Sequence, residues 1–436
     1  MFIATIKSDG LAHLSYLVGS KTQAAVIDPR RDCEIYIEMA RARGCRITRI
    51  FETHRNEDLI SGAPMLAAMT GATVHHGPNA DGEVRHAETV REGAAFTLDH
   101  MRIEVLETPG HTFDSISVAI FDEEFGDGAV GVFTGDALFV GDVGRTDFYP
   151  DRAEEVAGLL YDSLRKILSL GDQAILYPAH GAGSVCGDNM ADREFSTLGH
   201  ERRNNPMLAI SERDTFIAKK LREQHDQPPY FRRMERLNLE GEDAVPRVLM
   251  PRPLAIADID DGGDRRVLLD IRGATAFLGG HLPGSLAIPT DMLPAFAGWL
   301  IDPDRDLVLI ADGPDQAQQA ERHLLRMGFD GTVGALTTSL PAWAASGRAF
   351  RAVSTIDADE VAERIDQSGS GPSADWKLLD VRRQAETESG MIPGAQNIYL
   401  GELPARLDTL SPSHRYIVLC ESGARATIAA SVLLVD

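Results

Sequence analysis

Residues 53–59 read Thr53-His54-Arg55-Asn56-Glu57-Asp58-Leu59, a short segment that offers a metal-capable side chain. Three later segments do the same: Thr108-Pro109-Gly110-His111-Thr112, Phe133-Thr134-Gly135-Asp136 and Pro178-Ala179-His180-Gly181. Glycine or proline stands close to each later donor, and such loops can bring distant residues together at one edge of a sheet. A single histidine is more often a surface or hydrogen-bonded residue, but the ordered set predicts a metal site.

Strand-like runs separate these loops in the first 200 residues. Examples are Ala24–Asp28, Ile103–Leu106 and Ser117–Phe121. Apolar runs that alternate with loops bearing His and Asp predict one β-rich domain over residues 1–200. The polar segment 201–249 contains a helical stretch that ends before Pro228-Pro229, so we predict a helical connector there.

An internal repeat divides the rest of the chain. Val267–Arg272 is followed by Gly280–Ser285, and the similar Lys377–Arg382 is followed by Gly390–Ala395. The matching Asp270 and Asp380 lie 110 residues apart, which is the size of a domain and far longer than a solenoid repeat. Apolar strands alternate with helical stretches in both copies. We therefore predict two similar α/β domains, at residues 250–350 and 352–436.

The first 200 residues resemble the metallo-β-lactamase fold and, within it, the glyoxalase II and persulfide dioxygenase branch. The donor loops carry this resemblance together with Ser15–Gly19, Ala25–Pro29, Phe51–His54, Ser61-Gly62 and Gly144–Phe148. The resemblance implies an αββα sandwich, so the predicted fold class is α/β throughout.

Two substitutions bear on the choice of metal. In this superfamily the first donor segment usually reads His-x-His-x-Asp-His, whereas here Asn56 and Leu59 replace two histidines. Leucine has no donor atom and asparagine is a poor substitute for imidazole, so a dizinc site is not expected. His54, His111 and Asp136 remain, and two histidines with one carboxylate are typical of non-haem Fe(II) oxygenases. By resemblance, persulfide dioxygenases bind iron through the matching residues. We expect one Fe(II), with zinc as the alternative metal.

Four further residues are candidates around this site. The resemblance implies that Asp58 and His180 orient ligands or water, although Asp58 also suits a loop cap. Arg145 is a candidate contact for substrate carboxylates, but a buried pairing with Asp142 or Asp147 is the favoured interpretation. Cys186 lies six residues after His180 and is a candidate for the cleft, with simple packing slightly favoured.

A cysteine loop marks the last domain. Cys420 ends an apolar strand, and Glu421–Arg425 leads into a helical run. Backbone N–H groups at a helix start stabilise a thiolate or persulfide, and Arg425 adds positive charge. This loop resembles the rhodanese sulfurtransferases, whose four residues between Cys and Arg it shares. We expect Cys420 and Arg425 to be the catalytic pair.

The first repeat lacks this cysteine. Ala311 occupies the corresponding position, and the neighbouring Asp312 and Asp315 would repel an anionic sulfur donor. We interpret residues 250–350 as a pseudo-rhodanese. This copy continues for 36 residues from Ala311 to Gly347, whereas 16 follow Cys420. We expect the last domain to be incomplete, and a homodimer would cover the apolar surface that this exposes.

The order of the three domains resembles persulfide dioxygenase–sulfurtransferase fusions. This resemblance implies that a low-molecular-weight thiol persulfide, such as that of glutathione or coenzyme A, is oxidised by O₂ to sulfite. Cys420 would carry sulfane sulfur, and sulfite could accept it and leave as thiosulfate. Two alternatives stay open: a glyoxalase-II-like thioesterase with a single zinc, and a non-enzymatic sulfur carrier or scaffold.

Composition excludes some partners. The chain of 436 residues has 43 basic and 66 acidic residues, and its net charge of −23 argues against nucleic acid and anionic membranes as partners. The first ten residues do not resemble a signal peptide, and no apolar run reaches membrane-spanning length. Four scattered cysteines suit a reducing compartment. We expect a cytoplasmic protein.

Overall fold

A computed structural model of the chain describes residues 1–435 apart from 79–81, 83, 125, 185–189, 194, 224, 242–249, 260–264 and 369–375. The described residues form two compact units. The first contains the chain up to residue 241 together with residues 326–328, and the second contains the remainder. No helix among the described residues is long and apolar enough to cross a membrane.

Two six-stranded sheets form the centre of the first unit. Strands β1–β6 make the first sheet in sequence order and are Phe2–Ser8, His13–Gly19, Gln23–Ile27, Arg46–Glu52, Thr73–His76 and Glu88–Thr89. Strands β7–β12 make the second sheet, also in sequence order, and are Ala95–Leu98, Met101–Glu107, Ile116–Asp122, Gly131–Gly135, Ile175–Pro178 and Ser196–Thr197. Strand β2 is buried at every position because it pairs on both edges within the sandwich.

Six α-helices complete the described part of the first unit. Helices α1–α6 are Glu34–Ala42, Ala63–Thr70, Ala153–Leu168, Leu198–Asn204, Arg213–Lys220 and Phe231–Glu240, and a 3₁₀ turn at Pro150–Arg152 precedes α3. The core between the sheets contains side chains such as Tyr16, Phe51 and Phe133. Helices α1 and α2 pack on the first sheet, while α3, α4 and α5 pack on the second. The predicted αββα sandwich is confirmed, and helices from the predicted connector belong to this unit.

The donor loops begin where strands end. The loop with His54 follows β4, the loop with His111 follows β8, Asp136 directly follows β10, and His180 comes two residues after β11. The carboxyl ends of strands in a packed sandwich meet at one edge, where loops are free to carry functional groups. The fold therefore gathers four sequence segments that are separated by up to 126 residues, from His54 to His180.

Each repeat in the second unit is built on a parallel sheet. In the first repeat, β13–β16 are Arg266–Asp270, Leu286–Ala287, Asp306–Ile310 and Thr332–Leu336, in the sheet order β14-β13-β15-β16. In the second, β17–β19 are Trp376–Asp380, Gln396–Asn397 and Arg415–Leu419, in the order β18-β17-β19. Helices α7–α10 are Ala274–Gly279, Leu293–Leu300, Pro314–Arg326 and Leu340–Ala345, and helices α11–α13 are Ala358–Ser368, Gln384–Glu388 and Ala424–Val435. Short 3₁₀ helices cover Ile256–Ile259, Thr290–Met292 and Leu400–Thr409.

The two repeats share local detail as well as topology. Arg272 pairs with Asp270 and donates to the carbonyl of Gly280 at 2.9 Å, and Arg382 makes the equivalent contacts with Asp380 and Gly390. Strand β14 of the first repeat contacts α13 of the second, where Ser431 Oγ accepts a hydrogen bond from the backbone N–H of Ala287 at 2.9 Å. Helix α13 is therefore packed against both repeats.

Candidate metal centre

Three predicted ligands converge in the first unit. One donor atom each from His54, His111 and Asp136 lies within 4.8 Å of the other two, and all three side chains are buried. His54 Nε2 is 3.7 Å from Asp136 Oδ2, and His111 Nε2 is 3.6 Å from the same oxygen. The separations suit three ligands that share one metal ion.

Hydrogen bonds fix the orientation of both histidines. Thr53 Oγ1 donates to Asp28 Oδ2 at 2.9 Å, so it accepts the proton of His54 Nδ1, also at 2.9 Å. His111 Nδ1 lies 3.0 Å from the carbonyl oxygen of Arg145, which can only accept. With Nδ1 protonated in both rings, the neutral tautomers direct their Nε2 lone pairs towards Asp136. This arrangement is typical of metal-binding histidines.

The same two nitrogen atoms are close to carboxylates but are not hydrogen-bonded to them. His54 Nε2 and His111 Nε2 are buried and make no hydrogen bond within the part of the chain that the structure describes. Burial lowers the pKa of His54, which favours the neutral ring that a metal requires. Burial works against ionisation of Asp136, but His180, His54 and His111 hold its pKa well below the usual range. At His111 burial also works against protonation, but the Glu57 and Asp136 carboxylates raise the pKa of this ring. Two imidazoles and an ionised carboxylate are donors that fit a transition-metal ion.

His180 and Asp58 lie beside this triad. His180 Nδ1 is 2.8 Å from Asp136 Oδ1 and 2.9 Å from Oδ2, and its Nε2 is 3.1 Å from Asp58 Oδ2. His180 thus contacts the carboxylate of a candidate ligand through one nitrogen and Asp58 through the other. Such contacts hold a ligand's orientation, and the His180 contact keeps the Asp136 carboxylate ionised.

Glu57 also reaches the site, although sequence reasoning assigned it no role. Its Oε1 lies 3.2 Å from His111 Nε2 and its Oε2 lies 4.0 Å from His54 Nε2. The residue is only 2% exposed. The sequence contained one signal that could have identified Glu57: it lies three residues after His54, within the same donor segment.

The two remaining candidates for this region differ in outcome. The Arg145 side chain pairs with Asp147 through two hydrogen bonds of 2.7 Å, and its Nη1 donates to the carbonyl of Asp226 at 3.2 Å. The guanidinium is 1% exposed, as the favoured buried pairing with Asp147 requires. Cys186 lies outside the described residues.

Helix α6 fixes the first donor loop. The Asn238 side-chain amide donates to the carbonyl oxygens of Asn56 at 2.7 Å and Leu59 at 2.8 Å, and its oxygen accepts from the N–H of Ser61 at 2.9 Å. The hydroxyl of Tyr230, which precedes α6, donates to the carbonyl of Asp58 at 3.2 Å. Sequence reasoning did not find Asn238, because its partners lie about 180 residues earlier.

The cysteine loop of the second repeat forms a separate candidate site. Cys420 Sγ accepts hydrogen bonds from the N–H groups of Gly423 at 3.1 Å and Ala426 at 3.4 Å. Arg425 pairs with Glu386 through two contacts of 2.7 Å. In the first repeat, Ala311 follows β15 and is buried, so this loop carries no thiol.

Comparison with known proteins supports the division into these two regions. The model of the metallo-beta-lactamase superfamily matches residues 8–180, and that of the rhodanese-like domain matches residues 254–346 and 357–435. The mitochondrial persulfide dioxygenase ETHE1 of Bos taurus is 28% identical over 210 residues, which cover 45% of this chain and 72% of that protein. A hydroxyacylglutathione hydrolase of Methylobacterium sp. (strain 4-46) is 31% identical over 194 residues, with coverage of 39% and 71%.

A solved structure extends the similarity beyond the first unit. The crystal structure of a metallo-beta-lactamase from Staphylococcus aureus subsp. aureus COL is 29% identical in sequence, with a TM-score of 0.70. The match covers 77% of this chain and 98% of the other. The shared fold therefore includes more of the chain than either unit alone.

Proposed function

The chain belongs to the metallo-beta-lactamase superfamily and carries two rhodanese-like domains, and from this we propose that it is an iron-dependent persulfide dioxygenase with a sulfurtransferase domain. The main support for this proposal is the convergence of His54, His111 and Asp136. The Nε2 atoms of both histidines make no hydrogen bond among the described residues. These three residues would hold the ion, and bound iron would supply a centre at which a substrate anion and O₂ can be brought together. Similarity to ETHE1 supports the same chemistry.

The donor set favours one metal ion over two. Leu59 is buried and has no donor atom, and the carbonyls of Asn56 and Leu59 are bound by Asn238. Among the described residues, the donor group within mutual reach consists of His54, His111 and Asp136. Bound iron would supply the one-electron chemistry that O₂ requires.

The surrounding residues position the reacting groups. Thr53 and the Arg145 carbonyl hold the two imidazoles, while His180 holds the Asp136 carboxylate. Burial of these groups excludes bulk water and strengthens their electrostatic interactions. In the proposed reaction, a thiol persulfide, O₂ and water give the thiol and sulfite. Glutathione and coenzyme A are the carriers that we propose to test.

Cys420 would carry sulfane sulfur in the second unit. Its thiolate attacks the outer sulfur of a persulfide, the thiol leaves, and Cys420 becomes a persulfide. The two N–H groups that reach Sγ stabilise negative charge on either form. Sulfite then takes the outer sulfur and leaves as thiosulfate, which restores the Cys420 thiolate.

The decisive experiment combines metal analysis with O₂ consumption. Protein purified without oxygen should contain about one iron per chain and consume O₂ on addition of glutathione or coenzyme A persulfide. His111→Ala should lose iron and O₂ uptake because it removes one of three ligands. His100→Ala, which changes a partly exposed histidine outside the site, is the matched control.

A zinc thioesterase is the second candidate, because a hydroxyacylglutathione hydrolase is 31% identical. Zinc in the purified protein, with thioester cleavage and no O₂ uptake, would support this candidate and contradict ours. A scaffold without enzymatic activity would show no O₂ consumption in either the wild type or His111→Ala. The same set of measurements therefore separates all three functions.

A further inference from the structure

We propose that Glu57 is a fourth protein ligand of the metal, in addition to His54, His111 and Asp136. The inference rests on the metal centre of the proposed function, and not on the identity of the substrate. Glu57 Oε1 lies 3.2 Å from His111 Nε2, and Glu57 Oε2 lies 4.0 Å from His54 Nε2. These separations are comparable with the 3.6 and 3.7 Å between the histidines and Asp136.

The buried histidine nitrogens define where the ion would be. Both Nε2 atoms are directed into the site and make no hydrogen bond among the described residues. An ion within bonding reach of both nitrogens lies next to the Glu57 carboxylate as well, because that carboxylate is adjacent to both. The acidic group and the two nitrogens, which make no hydrogen bond among the described residues, indicate the same position.

Charge balance favours the same conclusion. Glu57, Asp58 and Asp136 are each at most 2% exposed, and their nearest ring partners are the three histidines of the site. Burying carboxylates is costly unless a positive charge is close. A divalent cation between Glu57 and Asp136 would supply that charge while the metal-binding histidines stay neutral, as ligation requires.

The loop geometry explains how Glu57 reaches the ion. Glu57 lies between Asn56 and Leu59, whose carbonyl oxygens both accept hydrogen bonds from Asn238. The backbone on both sides of Glu57 is therefore fixed, and its side chain is held on the same side as His54. The segment that carries Asn56 and Leu59 thus also places a carboxylate beside the triad.

A fourth ligand would separate the two candidate metals. Zinc sites in proteins are almost always tetrahedral, and catalytic ones keep one of the four positions for water. Two histidines, Asp136 and Glu57 would fill all four positions, leaving none for the attacking hydroxide of a thioesterase. A six-coordinate iron would keep two positions, enough for a persulfide and O₂.

Metal binding without substrate tests this role. Fe(II) affinity is measured anaerobically against a competing chelator, and the nitric oxide adduct of the iron is recorded by electron paramagnetic resonance. Glu57→Gln keeps the size of the side chain but removes its negative charge. We expect Fe(II) affinity to fall at least about tenfold. Removal of a residue that only hydrogen-bonds to a metal ligand already lowers affinity by about this factor, and loss of a ligand should cost no less. The spectrum of the nitric oxide adduct should also change.

Glu52→Gln is the matched control, because Glu52 is another buried carboxylate but contacts His86 at 3.0 Å instead of the metal ligands. It should retain wild-type affinity and spectrum. Wild-type metal affinity and an unchanged spectrum in Glu57→Gln would overturn the proposal. The same titration with zinc keeps the test informative if the protein binds zinc, so failure of the iron assignment and failure of the Glu57 assignment are distinguishable.

Discussion

At the residue scale, the partners of the two ring nitrogens, Nδ1 and Nε2, distinguish the three histidines of the site. His54 and His111 direct Nδ1 to a neutral oxygen and Nε2 towards Asp136, whereas His180 directs Nδ1 to Asp136 and Nε2 towards Asp58. Three histidines that look equivalent in the sequence thus have different surroundings. The same logic applies to Arg425, whose guanidinium is held by Glu386 beside the Cys420 loop.

Glu386→Gln should slow sulfur transfer by Cys420, because it removes the charged partner that positions the Arg425 guanidinium. The Glu386 side chain is 34% exposed, and solvent screening limits such a pair to about 1 kcal/mol, or about fivefold in rate. Thiosulfate formation from sulfite and a persulfide donor measures the effect. Glu388→Gln changes an exposed glutamate on the same helix and should have no effect. Equal rates in all three proteins would contradict the expected role.

The same pair predicts a pH dependence of stability. Hydrogen bonds from Arg425 lower the pKa of Glu386 to about 2, below its ordinary value of 4.5. A carboxyl with a depressed pKa contributes its full stability above pH 4.5 and loses it as the pH falls towards 2. The difference in thermal unfolding between wild type and Glu386→Gln should therefore be constant near neutral pH and shrink on acidification. A difference in thermal unfolding that was as large at pH 2 as at neutral pH would argue against this pairing.

At the scale of elements, strand ends supply the donors and a helix holds them. Four donor loops follow β4, β8, β10 and β11, while α6 fixes the first loop through Asn238. That side chain satisfies two buried carbonyls and one buried N–H in a loop with no regular structure. Unsatisfied buried backbone groups cost about 1–3 kcal/mol each, so the helix is part of the support of the metal site.

Asn238→Ala should loosen the first donor loop without removing any donor. Hydrogen exchange should become faster in peptides that cover residues 56–61, because three hydrogen bonds are lost. Fe(II) affinity should fall about tenfold, as for other groups that support a ligand indirectly. Asn204→Ala removes an exposed asparagine that bonds within its own helix and serves as the control. Unchanged exchange at residues 56–61 would contradict the role of Asn238.

At the scale of the whole molecule, one chain carries two candidate sites with different chemistry. The candidate metal ligands lie in the first unit and Cys420 lies in the second, each with its own hydrogen-bonded surroundings. The first repeat has lost the cysteine, and Ala276 and Gln316 stand where the second has Glu386 and Arg425. The first repeat thus has none of the three residues of the cysteine site. It still contacts the second repeat, through β14 and α13.

Cys420→Ser should separate the two activities. O₂ uptake with an added low-molecular-weight persulfide should continue at the wild-type rate, because the metal ligands are untouched. Thiosulfate formation should be abolished, because serine cannot carry sulfane sulfur. His111→Ala should show the converse pattern and provides the comparison. Loss of O₂ uptake in Cys420→Ser would show that persulfide must pass through Cys420 before it is oxidised.

The sequence predicted the features that depend on local pattern and spacing. Alternating strands and loops indicated a β-rich first domain, and the resemblance of its motifs to the metallo-β-lactamase fold indicated the αββα sandwich. The 110-residue period indicated two α/β repeats, and the resemblance of the Cys420 loop to rhodaneses indicated the candidate sulfurtransferase site. His54, His111 and Asp136 could be selected because two other positions of a familiar motif carry residues that cannot replace histidine as ligands. These signals lie within segments of a few residues, where the chain's covalent geometry limits the alternatives.

Only the tertiary structure decided which distant groups meet at the site. It brought Asn238 to the carbonyls of Asn56 and Leu59, up to 182 residues away, and placed Glu57 beside two histidines. It also showed Arg145 bound to Asp147. Such contacts depend on how helices and sheets pack, and packing is set by the summed burial of many side chains rather than by any one motif. The sequence by itself therefore determined the fold and the donor types, whereas packing determined which carboxylate and which amide complete the metal site.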